Sequence, residues 1–324
     1  TIVERNASCY QNNSEEDDMG AVLIYDTETA AMVVSPRLPE GLGCGYQAAV
    51  AVGEKELYLL ESEWSSPHAR RQYGGLHCLS AADHNPGAGK DDDEKELVWG
   101  WRRPLSPSSP WRWNDKLVLP FLTEVNGIGA HAVVNRDVLV SVNEWPYPGG
   151  APVATTFSFD TATWQWTRRG DWGMPVVGHA HYDGEMDAWV GLHVAGDIGD
   201  TDGRLCTGDL TAAPWPEWNV GKEKLFRVDE LDAAAGWRHV SAKLVPMAPG
   251  KYCLMERLQP EGDDNDDKAG EEWLGDGDKR LLRLTAFRVE RGEDGEPVAT
   301  ALRPARSYRV SRYNKDFDAQ AFWM

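Results

Sequence analysis

One grammar recurs along this chain and limits what it can fold into. An apolar strand meets a tight turn, a second apolar strand follows, and then a third and a fourth lead to a Pro- or Gly-rich corner. The first two strands of each unit read YQAAVAV–GEK–ELYLLES from Tyr46, AHAVV–NR–DVLVSV from Ala130, AHYD–GEM–DAWVGLH from Ala180 and SAKLVPM–APG–KYCLMERL from Ser241. Third strands follow as GLHCLSAAD, TTFSFDTAT, GRLCTGDLTA and RLLRLTAFRVE. Fourth strands follow as LVWGWRRPLS, WQWTRRGDW, either PEWNV or the nearby KLFRV, and PVATALRP. Gly and Asp in the turns supply the positive φ or the side-chain capping that sharp hairpins need. Four short strands per unit, repeated at this spacing, predict an all-β fold, a β-propeller with five four-stranded blades, or six on an alternative count.

The two ends complete the pattern. The chain opens on half a unit, TIVERNAS, GAVLIYDTET and AAMVVSPRLP, and finishes on a lone apolar strand, FDAQAFWM. Pairing of that last strand, Ala319–Met324, with the N-terminal strands near Ile2–Arg5 or Val22–Tyr25 would close the ring and remove two exposed edges. The reading is one propeller domain over residues 1–324, with acidic surface loops near 12–19, 83–96 and 261–279. Helical periodicity is confined to KLFRVDELDAAA, Lys224 to Ala235, which Gly236 would end.

Composition narrows function by exclusion. An apolar fraction of 41% suffices for a core in 324 residues. The formal net charge of −19 argues against nucleic acid, whose phosphates need a basic footprint, and against an anionic membrane surface. No stretch approaches the ~18 apolar residues of a membrane span. Five Cys at wide spacings, without a CxxC pair, fit reduced thiols in a cytoplasmic or nuclear protein. No signal peptide is visible, although the chain begins at Thr1, which leaves room for an upstream segment. Asn6-Ala7-Ser8 and Asn12-Asn13-Ser14 then read as chance sequons.

The order VLIYDTET, FSFDTATWQW, GDWGMPVVGHAHYDGEMDAWVGL, RLCTGDL, LVPMAPGKYCLMERL and LTAFRVERG resembles a large, grass-expanded plant family of uncharacterised kelch-like or F-box-associated propellers of unknown function. The resemblance covers almost the whole chain and is most specific from Phe157 to Leu192. It implies a kelch-like fold and a plant origin, and it carries no catalytic residues. The kelch Gly-Gly pair has counterparts in Gly74-Gly75 and Gly149-Gly150, shifted toward strand three. The Asp-x-x-Thr turn before Trp stands at Asp160–Trp164.

Candidate chemistry concentrates in histidines. His131 and His181 fall at matching places in consecutive units, His179 shares a strand face with His181, and His239 sits near the matching place in the next unit. First strands line a propeller's channel, so these imidazoles could converge on zinc, copper or iron. The plainer reading is that each ring bonds a backbone group. Asp183, Glu185 and Asp187 alternate at a hairpin tip, where turn formation and solubility account for them before acid–base chemistry does. Asp200-Thr201-Asp202-Gly203 opens like a calcium loop and fails it, because Arg204 and Thr211 stand at the later ligand positions. Arg102-Arg103 and Arg168-Arg169 follow Trp and read as ring-packed or solvated cations. Trp111, Trp113, Trp145, Trp172 and Trp215 stand at corners, where they either pack between blades or form binding hot spots. With no phosphate loop, GxSxG or HExxH, the sequence favours a non-catalytic, monomeric protein-interaction module without a cofactor. It would bind a protein partner, as the substrate-recognition part of a ubiquitin-ligase adaptor or as a stress- or defence-related protein. The alternative is a small-molecule or metal-dependent protein using the channel mouth.

Overall fold

The computed structural model describes residues 2–4, 23–25, 32–34, 46–53, 56–61, 75–82, 98–101, 117, 119–121, 126–144, 153–195, 200–212, 216–226, 236–260, 280–301, 303–310 and 320–321. These are strands and tight turns, with no helix among them. The acidic stretches 12–19, 83–96 and 261–279, and Trp111, Trp113, Trp145 and Trp215, lie outside the described residues. The strands fall into two compact units.

The first unit holds two antiparallel sheets. β1 (Ile2–Glu4), β2 (Leu23–Tyr25) and β3 (Met32–Val34) form a meander. β21 (Gln320–Ala321) adds to its free side, with Ile2 opposite Ala321 and Val3 opposite Gln320. The strand expected to unite the two chain ends therefore does so. The second sheet is β4 (Tyr46–Val52), β5 (Glu56–Glu61), β6 (Leu76–Ala82) and β7 (Val98–Trp101). Ala48, Ala49 and Val50, and then Leu57 through Leu60, are buried without alternation. A strand buried on consecutive residues is covered on both faces, unlike the half-solvated strand that alternation marks.

The second unit holds β8 (Asn126–Val134), β9 (Asp137–Glu144), β10 (Val153–Asp160), β11 (Gln165–Gly170), β12 (Val176–Asp183), β13 (Ala188–Ala195), β14 (Asp200–Gly208) and β15 (Trp218–Lys224) in one sheet. That sheet is two four-stranded meanders, β8–β11 and β12–β15, joined by parallel pairing of their first strands β8 and β12. The turn between β8 and β9 needs two residues, and Asn135 takes it at φ 59°, a conformation Asn tolerates better than most side chains. β16 (Trp237–Ala248), β17 (Lys251–Pro260), β18 (Arg280–Arg291) and β19 (Pro297–Thr300) make the next meander. β20 (Arg306–Val310) lies beside β18 as well, so the outer strand is split in two around Ala301.

Two apolar layers hold this unit together. Ala130, Ala132 and Leu139 pack with Met174, Val176, Trp189 and Cys206 between the first two meanders. Val190, Leu192 and Leu205 pack with Leu244, Tyr252, Leu254 and Phe287 between the second and third. At about 25 cal/mol per Å² of apolar surface removed from water, such layers dominate the stability of the stack. Two sequence expectations are settled by strand pairing. The third fourth-strand begins in PEWNV at Trp218 and runs to Lys224, the first residue of KLFRV, because Trp218, Asn219, Val220 and Lys224 register with Gly208, Thr207, Cys206 and Arg204. Lys224, expected to begin a helix, instead ends β15, and residues 227–235 lie outside the described set.

Candidate functional site

A bulge in β12 builds the histidine cluster. Val177 pairs with Leu192 of β13 and His181 pairs with Val190, so three residues of β12 face one of β13. Gly178 sits at φ 71°, where a side chain would be strained. Released from β13, Gly178, His179 and Ala180 pair with Ala130, His131 and Ala132 of β8. The structural partner of His131 is thus His179, not His181 as the sequence alignment of the units suggested. The bulge shifts the register by two residues, which motif matching cannot see.

The rings form a column. Centroids of His131 and His179 are 4.6 Å apart, and those of His179 and His181 are 3.9 Å apart. Those two steps keep the outer rings within reach of one small ligand. His181 Nε2 lies 2.8 Å from the Leu244 carbonyl oxygen of β16, which fixes the end of the column against the third meander. Burial lowers the proton affinity of all three rings. For His131 the neighbouring His181 and the Lys243 ammonium of β16 add to it, bringing its pKa to about 3. His181 falls to about 4, with its bond to the Leu244 carbonyl working the other way. His179 drops well below the usual imidazole range, from burial and then from both flanking rings. The column is therefore neutral at physiological pH. Among the described residues, no group of three or more His, Cys, Asp or Glu is arranged to hold a metal ion. The ring planes are tilted by 32° and 41° to one another, and zinc would need their lone pairs to converge about 2.0–2.1 Å from the metal.

His239 does not join the column. It precedes Lys243 and Leu244 on β16 by four and five residues, about 13–16 Å along an extended strand. Its ring stacks on Phe226 at 4.2 Å, and Nδ1 lies 3.4 Å from Glu256 Oε1 with both side chains buried.

Asp183 is the residue the sequence placed least well. Expected at a solvated hairpin tip, it is 2% exposed. One carboxylate oxygen accepts the backbone N–H groups of Glu185 and Met186, and the other accepts those of Gly250 N–H and Tyr252 O–H. It ties the β12–β13 turn to the β16–β17 turn. Its neighbours do stay outside: Glu185 pairs with Arg288, and Asp187 accepts the Tyr182 hydroxyl.

Other candidates resolve into packing and local pairing. Trp172 is half-buried against the layer around Met174, and its carbonyl accepts the Thr156 hydroxyl at 2.6 Å. Of the corner tryptophans, it alone falls among the described residues, and there it packs between sheets. Asp202, in the calcium-like turn, is engaged by His193 Nδ1 at 3.1 Å and Arg204 Nε at 3.7 Å. Arg168 pairs with Asp171, while Arg169 reaches Ser158 and Asp137. Sequence reasoning missed Lys243, one residue before the carbonyl that holds His181.

A solved structure of a protein from Lactobacillus plantarum is similar over 93% of this chain and 95% of its own, at 8% sequence identity and a TM-score of 0.35, too distant to bear on fold or function. No curated protein matches the chain significantly. A family model described as "Protein of unknown function (DUF1668)" matches residues 9–308, and over that span, nearly the whole sequence, the chain belongs to this family.

Proposed function

We propose that this protein is a non-catalytic interaction module, a kelch-like plant β-propeller of five four-stranded blades that presents hairpin turns to a protein partner. The narrower form of the proposal is the substrate-recognition part of a ubiquitin-ligase adaptor. Two observations favour the propeller: β4–β7, β8–β11, β12–β15 and β16–β19 are four-stranded meanders, and the first and last strands of the chain share one sheet. The interaction reading rests on one observation, a rigid rim with exposed apolar side chains. Tyr182 is 53% exposed and Met247 is 50% exposed. Each stands next to a hairpin turn, and Asp183 locks the two turns together through the Gly250 N–H. The Tyr182 ring leans on Trp189 at 4.9 Å and its hydroxyl donates to Asp187, so it is held in place at little further entropic cost on binding. A partner suited to a chain of net charge −19 offers basic side chains around an apolar patch.

The test compares wild type with Tyr182→Ser/Met247→Ser as baits in plant extract, with quantitative mass spectrometry. Both positions are exposed, so the variant should fold normally, and its melting curve checks this. The proposal expects at least one basic partner enriched by wild type and lost to the variant, with direct binding then reproduced from purified components. An identical bound set for both baits would overturn it.

A further inference from the structure

We propose that His131, His179, His181 and Lys243 line a recess that binds a small oxyanion, the carboxylate or phosphate group of a small molecule, with uptake of protons. This goes beyond the interaction reading and does not depend on it.

The geometry points to a ligand site. Three first strands meet here: β8 carries His131, β12 carries His179 and His181, and β16 carries Lys243. The rings are surrounded by protein, and desolvation is the largest influence on each. Yet His179 and His181 keep accessible surface, and His131 is 7% exposed. Dense surroundings with residual exposure describe the wall of a concavity. Among the described residues no hydrogen bond reaches a ring nitrogen of His131 or His179, and neither ring has a nitrogen sealed from solvent. The nitrogens of His131 and His179 therefore face solvent.

The electrostatics select the sign of the ligand. The ionisable groups that act on these rings from the elements around them are His131, His179, His181 and Lys243. Among the described residues no carboxylate contributes to any of the three. In a chain of net charge −19, a cluster governed by imidazoles and an ammonium stands out. Neutral imidazole N–H groups and a lysine donate hydrogen bonds, and an anion accepts them, with charge-assisted bonds the stronger kind. A bound anion also favours the imidazolium, so binding and protonation reinforce each other. Affinity should then rise as pH falls from 7.5 to 5, by up to about tenfold per pH unit for each proton taken up.

Sulfate is the probe, because it stays a dianion throughout that range, with chloride at equal ionic strength as the control and orthophosphate and acetate as the two ligand classes. Calorimetry at pH 6 in two buffers of different ionisation enthalpy counts the protons, and histidine Hε1 resonances report the site. The expected result is saturable sulfate binding with net proton uptake and movement of the cluster's resonances. Lys243→Met and His179→Gln should each weaken it about tenfold or more, while Lys251→Met on the exposed β16–β17 turn leaves it unchanged. Binding by phosphate alone or acetate alone assigns the ligand class. Absence of saturable binding by every oxyanion below about 10 mM, binding without proton uptake, or binding unaffected by Lys243→Met and His179→Gln in variants that melt like wild type would each overturn the proposal.

Discussion

Asp183 joins two hairpins through a single carboxylate. Its oxygens accept four hydrogen bonds, from three backbone N–H groups and the Tyr252 hydroxyl, at 2.8 to 3.2 Å. Burial and then this carboxylate push the Tyr252 hydroxyl far above the usual phenol range, so it remains a donor. Hydrogen bonds to charged acceptors contribute roughly 1.5–3 kcal/mol each, and buried donors left without a partner cost about 1–3 kcal/mol. Asp183→Ala should therefore destabilise the protein by at least about 3 kcal/mol. Tyr252→Phe, which removes one donor and leaves three bonds in place, should cost about 1–2 kcal/mol. Urea unfolding followed by tryptophan fluorescence measures both. An Asp183→Ala loss under about 1 kcal/mol would mean that water or rearranged turns replace the carboxylate. The sequence hid this role for a physical reason. Asp183 is followed by Gly184 and Glu185, which spells a solvated turn, and only the neighbouring hairpin, more than sixty residues later, buries it.

At the scale of strands, local pattern carried most of the information. Each tight turn and the strands on either side were legible because hairpins are set by residues close in sequence, as Asn135-Arg136 and Gly250 show. The joining of the chain ends was legible too, since an unpaired apolar strand at each end leaves two edges that pair best with one another. What failed was register across the β12 bulge, and the sequence left strand four open between PEWNV and KLFRV, because both are decided by pairing between strands rather than within them. The β1–β21 pairing supplies the second prediction. Deleting residues 319–324 removes β21 from its sheet and exposes the edge of β1. The melting temperature should fall by several degrees, and the truncated protein should self-associate more readily through the bared edge. Differential scanning calorimetry and light scattering read both, and a melt equal to that of the full chain would show that the pairing contributes nothing to stability.

For the molecule as a whole, the histidine column links fold stability to pH. The sequence placed three of its imidazoles near one another, because first strands of consecutive units carry them at similar positions. It could not show their burial or the lysine from β16, which depend on how the meanders stack. The shifts set the direction of the effect. In the unfolded chain each ring titrates near its ordinary value of about 6.5, whereas folded His131 titrates at about 3 and His181 at about 4. Between those values the unfolded chain binds protons and the folded protein does not. Stability is thus fully present above about pH 6.5 and declines as the medium is acidified toward pH 4, with a slope of up to about 1.4 kcal/mol per pH unit for each imidazole. Most carboxylates titrate below pH 5, so the interval from 6.5 to 5 reports on histidines, and a variant of the column separates its share from that of the others. His131→Gln/His179→Gln removes two titrating rings and keeps polar groups of similar size in their place. Urea midpoints at pH 7.5, 6.0 and 5.0 should fall steeply for wild type and much less for the double variant. Equal slopes for the two proteins would mean that the acid sensitivity arises elsewhere. If sulfate lessens the wild-type decline and has no such effect on the double variant, the same measurement ties stability to the anion site, since an anion bound to protonated rings restores to the folded state the protons it otherwise refuses.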